Sequence, residues 1–279
     1  MKFKIIHETK YTFNSEVYLE PHQLRLKPKG TSFCDLESFD IEIFPKPIGI
    51  KEQFDPENNV INFAWFDKGT TSLDIRSTSV ITLSEYNPFS FIIYPSEYLN
   101  VPFEYSDDLK STLYASLEKA YINQLLIDYV NKTLEKSNST MDFIANLTKQ
   151  IHQDFQLSYR HEGSPFEPNK TFELKNGSCR DLAWMQIHLL RNFGIAARFV
   201  SGYYYIEMEY PSYELHAWVE VYIPGTGWIG FDPSHGMVTG NTHISLASSS
   251  DFNQAMTITG SVRGSASSEL TNYLYILKF

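Results

Sequence analysis

Cysteine is scarce in this chain of 279 residues, which holds two, Cys34 and Cys179. Two thiols cannot build a disulfide framework or a four-thiolate zinc site, so each is weighed as a single thiol. Positive charge is also in deficit: Lys plus Arg total 23 against 33 Asp plus Glu, a net charge of −10. That balance argues against nucleic acid or an anionic membrane as partner. Long apolar runs are missing, since stretches such as Phe89 to Tyr94 fall far short of the roughly 20 residues a membrane-spanning helix needs. The opening Met1-Lys2-Phe3-Lys4-Ile5-Ile6-His7-Glu8 lacks the apolar core and small-residue cleavage site of a secretory signal, and a cytoplasmic location is expected. No His/Cys/Asp/Glu group shows metal-ligand spacing, and the Gly177 region has neither the glycine pattern nor the lysine of a phosphate loop. The reading therefore expects no metal and no cofactor, and activity indifferent to EDTA and calcium.

The composition that remains, 42% hydrophobic and 20% charged, is that of an ordinary globular protein. Up to about residue 105 apolar residues alternate over short runs, as in Phe39, Ile41 and Ile43, or Ile61, Phe63 and Trp65. This period of two predicts an antiparallel β-sandwich over 1–105, with Asp55-Pro56-Glu57-Asn58-Asn59 as a hairpin turn. From about 106 the period lengthens. Leu125, Leu126, Tyr129 and Val130 predict one helix; Ser139 with Asp142 caps another through Ile144, Leu147, Ile151 and Phe155. A third opens at Cys179 and ends before Gly194. Strands follow at 197–205, 216–223 and 228–231, with Gly225-Thr226-Gly227 between the last two, and a closing strand at 273–279. The second unit, 106–279, reads as helices followed by sheet, an α+β fold.

Cys179 sits in the first turn of its helix, where unpaired backbone N–H groups and the dipole favour a thiolate. The dipole supplies at most about 2 kcal/mol, whereas bringing an ordinary thiol down to near neutrality takes about 3.4 kcal/mol. A reactive Cys179 therefore requires a histidine. His216 heads a strand, and a Gly225–Gly227 hairpin would bring Asp232, at the end of the next strand, beside it. Asp232 would fix the imidazole tautomer while the other nitrogen faces the thiol. His235 is expected to be a solvated loop residue. His188 lies ~13 Å along the helix from the thiol and is expected to be structural. Cys34, with no histidine near it in sequence, is expected to be inert.

Three blocks carry a family resemblance: Asn176-Gly177-Ser178-Cys179-Arg180-Asp181-Leu182-Ala183 continuing to Gly202-Tyr203; His216-Ala217-Trp218-Val219-Glu220-Val221; and Gly227-Trp228-Ile229-Gly230-Phe231-Asp232-Pro233-Ser234. In this order they resemble the bacterial transglutaminase-like superfamily. His7-Glu8-Thr9-Lys10-Tyr11 and Leu24-Arg25-Leu26-Lys27-Pro28 look like the β domain that precedes the core in that group. The resemblance implies a papain-like transglutaminase core, thiol chemistry on peptide or protein amides, and Cys179, His216 and Asp232 as catalytic triad. Trp184 stands where relatives often carry His, and Ser249-Ser250-Asp251 replaces a frequent Gly-Arg-Asp, which bears on substrate recognition. Arg180 and Asp181 are candidate substrate contacts, although the helix dipole equally accounts for Asp181. The Cys179 backbone N–H, with Tyr159 as a second candidate, would face an oxyanion. Tyr203 to Glu214, with Glu207, Glu209 and Glu214, reads either as a cleft wall selecting cationic or aromatic groups or as an exposed hairpin. The expected reaction is amide hydrolysis through a thioester; acyl transfer and a non-catalytic peptide-binding module are the alternatives.

Overall fold

The computed structural model describes residues 1–160, 163–206 and 212–279. β1 (Lys2–Leu19) buries Phe3, Ile5, His7 and Thr9 on one face, as its period of two requires. β2 (His22–Leu24), β3 (Cys34–Phe44), β4 (Gly49–Phe54), β5 (Val60–Trp65) and β6 (Gly69–Leu83) follow. The Asp55–Asn59 segment makes the β4–β5 turn: Asn58 has φ 62°, and Asp55 Oδ1 accepts from the backbone of Glu57 and Asn59. β1, β6 and β3 lie in one sheet, β2, β5 and β4 in another, and Val17, Leu24, Leu26 and Leu73 pack in one cluster drawn from both.

The helical stretch runs α1 (Asp107–Thr112), α2 (Tyr114–Leu117), α3 (Gln124–Leu134) and α4 (Thr140–Asp154). Asn123 caps α3 by accepting from Leu126 N, and Ser139 caps α4 by accepting from Asp142 N, so the expected capping residue is the one used. Ile144, Leu147 and Ile151 are fully buried at helical spacing. After β7 (Gln156–Leu157), α5 (Pro168–Leu174) and β8 (Asn176–Gly177) comes α6 (Cys179–Asn192). Gly194, at φ 80°, ends it in the left-handed region.

β9 (Ala197–Ile206), β10 (Ser212–Ile223), β11 (Gly227–Asp232), β12 (Met237–Val238) and β13 (His243–Ser249) form an antiparallel sheet ordered β12-β11-β10-β9-β13. Its inner side packs on α6: Leu182, Met185 and Leu189 share a core with Phe199, Val219 and Phe231. α7 (Phe252–Ala255), β14 (Ile258–Thr259), β15 (Val262–Arg263) and β16 (Ser268–Lys278) complete the chain.

These last strands differ from the sequence reading, which carries the second unit through to residue 279. β14 pairs with β2, β15 pairs with the end of β1, and β16 runs antiparallel along β1 from Phe3↔Lys278 to Phe13↔Ser268. The chain thus returns to the first unit's sheets, covering the edge of β1 that β6 leaves open. Phe3, Ile5, Ile81 and Ile276 pack with Tyr203, Tyr205 and Ile244, so one apolar cluster joins the two units.

Candidate active site

Between α6, the head of β10 and the β1/β16 pair lies a cleft of about 270 Å³ lined by Cys179, Arg180, Glu214, His216, His7 and Tyr273, among others. Cys179 opens α6 and is half-buried. Asp181 shapes the turn that presents it: its Oδ2 accepts from the backbone N–H and the hydroxyl of Ser178, both at 2.7 Å. Its Oδ1 accepts from Phe166 N at 2.7 Å and pairs with Arg160 at 2.5 Å. Fully buried and saturated, Asp181 is a helix cap and not a substrate contact. Arg180, its neighbour, does line the cleft.

The β10–β11 hairpin runs from Val219↔Phe231 to Ile223↔Gly227, with Gly225 and Gly227 at φ 90° and 76°. This register brings the end of β11 beside the middle of β10, where His216 lies, as the glycine turn predicts; β10 itself begins four residues earlier than the sequence suggests, at Ser212. Asp232 Oδ2 lies 2.9 Å from His216 Nε2, and both residues are buried. The other nitrogen, Nδ1, faces Cys179 and Glu214, whose Oε1 stands 3.1 Å away. That approach is off the N–H axis, so Nδ1 has no well-aligned hydrogen bond. Burial alone would hold the imidazole neutral. The charge and hydrogen bond of Asp232 outweigh it, aided by Cys179 and Glu214, and the His216 pKa stands well above 6.5. Burial likewise opposes the Asp232 carboxylate, but the His216 charge and three imidazole hydrogen bonds hold its pKa well below the usual range.

Those three donors exceed what the sequence suggests. His235 Nδ1 lies 2.7 Å and His243 Nε2 3.2 Å from the same Asp232 Oδ2, while Ser234 N and His235 N serve Oδ1. His235 is therefore half-buried and bonded, not a solvated loop residue, because Asp232 three residues earlier pulls its ring inward. His243 is kept neutral by burial; with Nε2–H given to Asp232, its Nδ1 accepts from the Thr242 hydroxyl at 3.0 Å. The Tyr204 ring packs against all three imidazoles, with centroids 5.4, 4.2 and 4.8 Å from His216, His235 and His243. No local signal marks His243: it reaches the site through β13–β9–β10 pairing, with His243 opposite Tyr204 and His216 opposite Gly202.

The cluster also corrects the expectation about metal-ligating groups. One ligating atom from each of Glu214, His216 and His235 lies within 4.8 Å of the others, and the same holds for His216, Asp232 and His243. These residues come from three strands and a turn, so their spacing along the chain hides their proximity.

Other candidates fall into place. Tyr159 lines the cleft but is 80% exposed, without the packing that would fix a hydroxyl. His188 is buried inside α6, accepts from Ala120 N through Nδ1 at 3.1 Å and is lowered to about 4, chiefly by burial. Cys34 is 2% exposed, and burial followed by the Asp35 charge pushes its thiol up to about 11. Trp184 packs on His188, Phe199 and Phe252, and Asp251 caps α7. These departures from the family pattern lie outside the cleft lining and carry packing rather than recognition. Of the Tyr203–Glu214 stretch, Glu214 lines the cleft and Tyr203 to Tyr205 are buried; Glu207 and Glu209 lie outside the described residues.

Two family matches cover the two units. Residues 127–233 match the transglutaminase-like superfamily and residues 3–82 the bacterial transglutaminase-like N-terminal region. The chain belongs to the transglutaminase-like superfamily, in the bacterial arrangement with an N-terminal β region before the core. Its fold is similar to that of a candidate cysteine protease from Cytophaga hutchinsonii, with a TM-score of 0.72 and 22% identity, covering 100% of this chain and 91% of that one. An uncharacterized Mycobacterium tuberculosis protein is 21% identical over 269 residues, 90% of this chain and 84% of that protein. A protein-glutamine gamma-glutamyltransferase of Pseudomonas aeruginosa is 34% identical over 71 residues, which cover 23% of this chain and 11% of that protein.

Proposed function

We propose that this chain is a cysteine-dependent amide hydrolase in which Cys179 is the nucleophile, His216 the general acid and base, and Asp232 the group that orients His216. The observation that carries the reading is the 2.9 Å His216–Asp232 hydrogen bond, formed in the cleft that Cys179 opens at a helix N-terminus. An imidazolium beside the thiol favours the thiolate. The thiolate adds to the substrate carbonyl, and the backbone N–H of Cys179, unpaired in the first turn, faces the resulting oxyanion. His216 then gives its Nδ1 proton to the departing amine as the C–N bond breaks, leaving an acyl thioester on Cys179. Water attacks that thioester, His216 takes the water's proton, and the C–S bond breaks to release a carboxylic acid and restore the thiol. Asp232, held by three imidazoles and two backbone N–H groups, keeps its charge throughout.

Acyl transfer is the second reading. Glu214 places a carboxylate in the cleft beside His216, where it would attract a cationic amine that replaces water as acceptor. The purified protein should be offered a library of peptides and simple amides, with products weighed by mass spectrometry, followed by a working substrate with millimolar primary amine. Free acid as the main product, lost in Cys179→Ser, supports hydrolysis. Amine adducts in excess of free acid would make the protein a transferase, and absence of any thiol-dependent product would remove the enzyme reading.

A further inference from the structure

The cleft holds a second chemical possibility that uses the same imidazole differently. Asp232 Oδ2 accepts from His216 Nε2 at 2.9 Å and from His235 Nδ1 at 2.7 Å. One carboxylate therefore fixes two imidazoles, each through one nitrogen, and leaves the other nitrogen of each, His216 Nδ1 and His235 Nε2, without that partner. This is the outer-carboxylate arrangement that orients metal-ligating histidines. His216 Nδ1 is fully buried, lacks a well-aligned hydrogen bond and points into the cleft. Glu214, two residues before it on the same strand face, brings a carboxylate oxygen to 3.1 Å from that nitrogen. The ligating atoms of Glu214, His216 and His235 lie within 4.8 Å of one another; tetrahedral ligands about 2.0–2.2 Å from a shared ion stand about 3.3–3.6 Å apart, so an inward side-chain movement on the order of 1 Å closes the set.

We propose that Glu214, His216 and His235 form an inhibitory site for a divalent transition-metal ion, with Zn²⁺ the best fit. Two imidazoles and one carboxylate suit Zn²⁺, whereas Ca²⁺ and Mg²⁺ require mostly oxygen ligands. Three protein ligands leave a fourth position, in a cleft whose lining Cys179 shares with Glu214 and His216. Binding displaces the Nδ1 proton of His216 to solvent and leaves a metal ion in its place. No electron transfer is involved, and removal of the ion restores the imidazole. The same nitrogen cannot hold the metal and shuttle a proton, so occupancy stops turnover. The inhibition rests on the hydrolase reading; the binding does not.

The test measures Zn²⁺ affinity directly, by competition with a chromophoric chelator, on the full chain and on the Glu214→Gln, His235→Gln and Cys179→Ser variants, with a thermal melt of each metal-free variant to establish folding. Removing either Glu214 or His235 is expected to weaken Zn²⁺ binding by at least about 10–100-fold, the range seen even for outer-shell partners. Cys179→Ser should stay within tenfold of the parent. Zn²⁺ should also slow iodoacetamide labelling of Cys179 in the parent and not in His235→Gln, a readout independent of any substrate. Equal affinity in the parent and both ligand variants, or loss confined to Cys179→Ser, would overturn the site. A chain that binds Zn²⁺ as expected but cleaves no amide would leave the site standing and refute the proposed hydrolase. A variant that fails to fold shifts the decision to Co²⁺ added to the parent: a tetrahedral visible spectrum supports the site, and an octahedral one overturns it.

Discussion

Acid should weaken this fold through two buried histidines far apart in the molecule, His7 and His188. Burial lowers His7 from 6.5 to about 4; burial and then the Arg191 charge lower His188 to about 4. Both native rings are neutral and locked by their hydrogen bonds. Thr9 gives its hydroxyl proton to Asn272 and so accepts from His7 Nε2, while His7 Nδ1 accepts from Tyr203. His188 Nδ1 accepts from Ala120 N. Between pH 6.5 and 4 the unfolded chain binds protons that the native chain refuses, so stability is complete above 6.5 and falls as pH drops towards 4. Lowering a ring from 6.5 to about 4 corresponds to about 3 kcal/mol per histidine. Two such losses compare with a whole-domain stability of roughly 5–15 kcal/mol. His243 is lowered too and acts in the same direction. His216, raised, gives its contribution below 6.5 and loses it only on the alkaline side; Asp232, lowered, loses its own at lower pH than this window. Urea unfolding of the parent, His7→Gln and His188→Gln at pH 7, 6, 5 and 4 isolates the two rings. The gap between parent and each variant should shrink by about 3 kcal/mol from pH 7 to pH 4. A gap that stays constant across that range would refute the neutral-ring argument.

Native protein treated with iodoacetamide at pH 6.5 should be labelled at Cys179 and not at Cys34, whose thiol near 11 is ionised to roughly 3 parts in 10⁵ at that pH; peptide mapping that finds equal labelling would refute it. Asp232→Asn should keep the fold, by circular dichroism, while kcat falls by up to ~10⁴-fold, by analogy with the serine-protease aspartate. Asp181→Ala removes the acceptor shared by Arg160, two backbone N–H groups and the Ser178 hydroxyl, and should cost about 3 kcal/mol in urea denaturation.

Much of this was legible in one dimension because it is locally encoded. Ser139, Gly194 and the Gly225–Gly227 turn each act within a few residues, and the hairpin they include is what pairs His216 with Asp232. The Asp232 shell was not legible. His243 arrives through two successive strand registers, and the sequence holds no feature that sets β13 against β9 rather than elsewhere. His235 departs from expectation for a related reason: a histidine after a proline turn is usually solvated, and only the carboxylate it folds back upon makes it otherwise. Asp181 shows the opposite case, where a first-turn acid admits two readings and the partners of its two oxygens decide between them.

The pairing of β16 with β1 sets an order of events. Phe3 and Lys278 are cross-strand partners, so every residue between them must be made before that ladder can form. Cys179, His216 and Asp232 have all been made by then, but Asn272, Tyr273 and Leu274, which line the cleft, come with β16. A growing chain thus carries its candidate nucleophile and base before it has the wall against which a substrate would rest. One wall of the cleft is supplied by β16, and a chain cut short before it would keep the chemistry while losing the container.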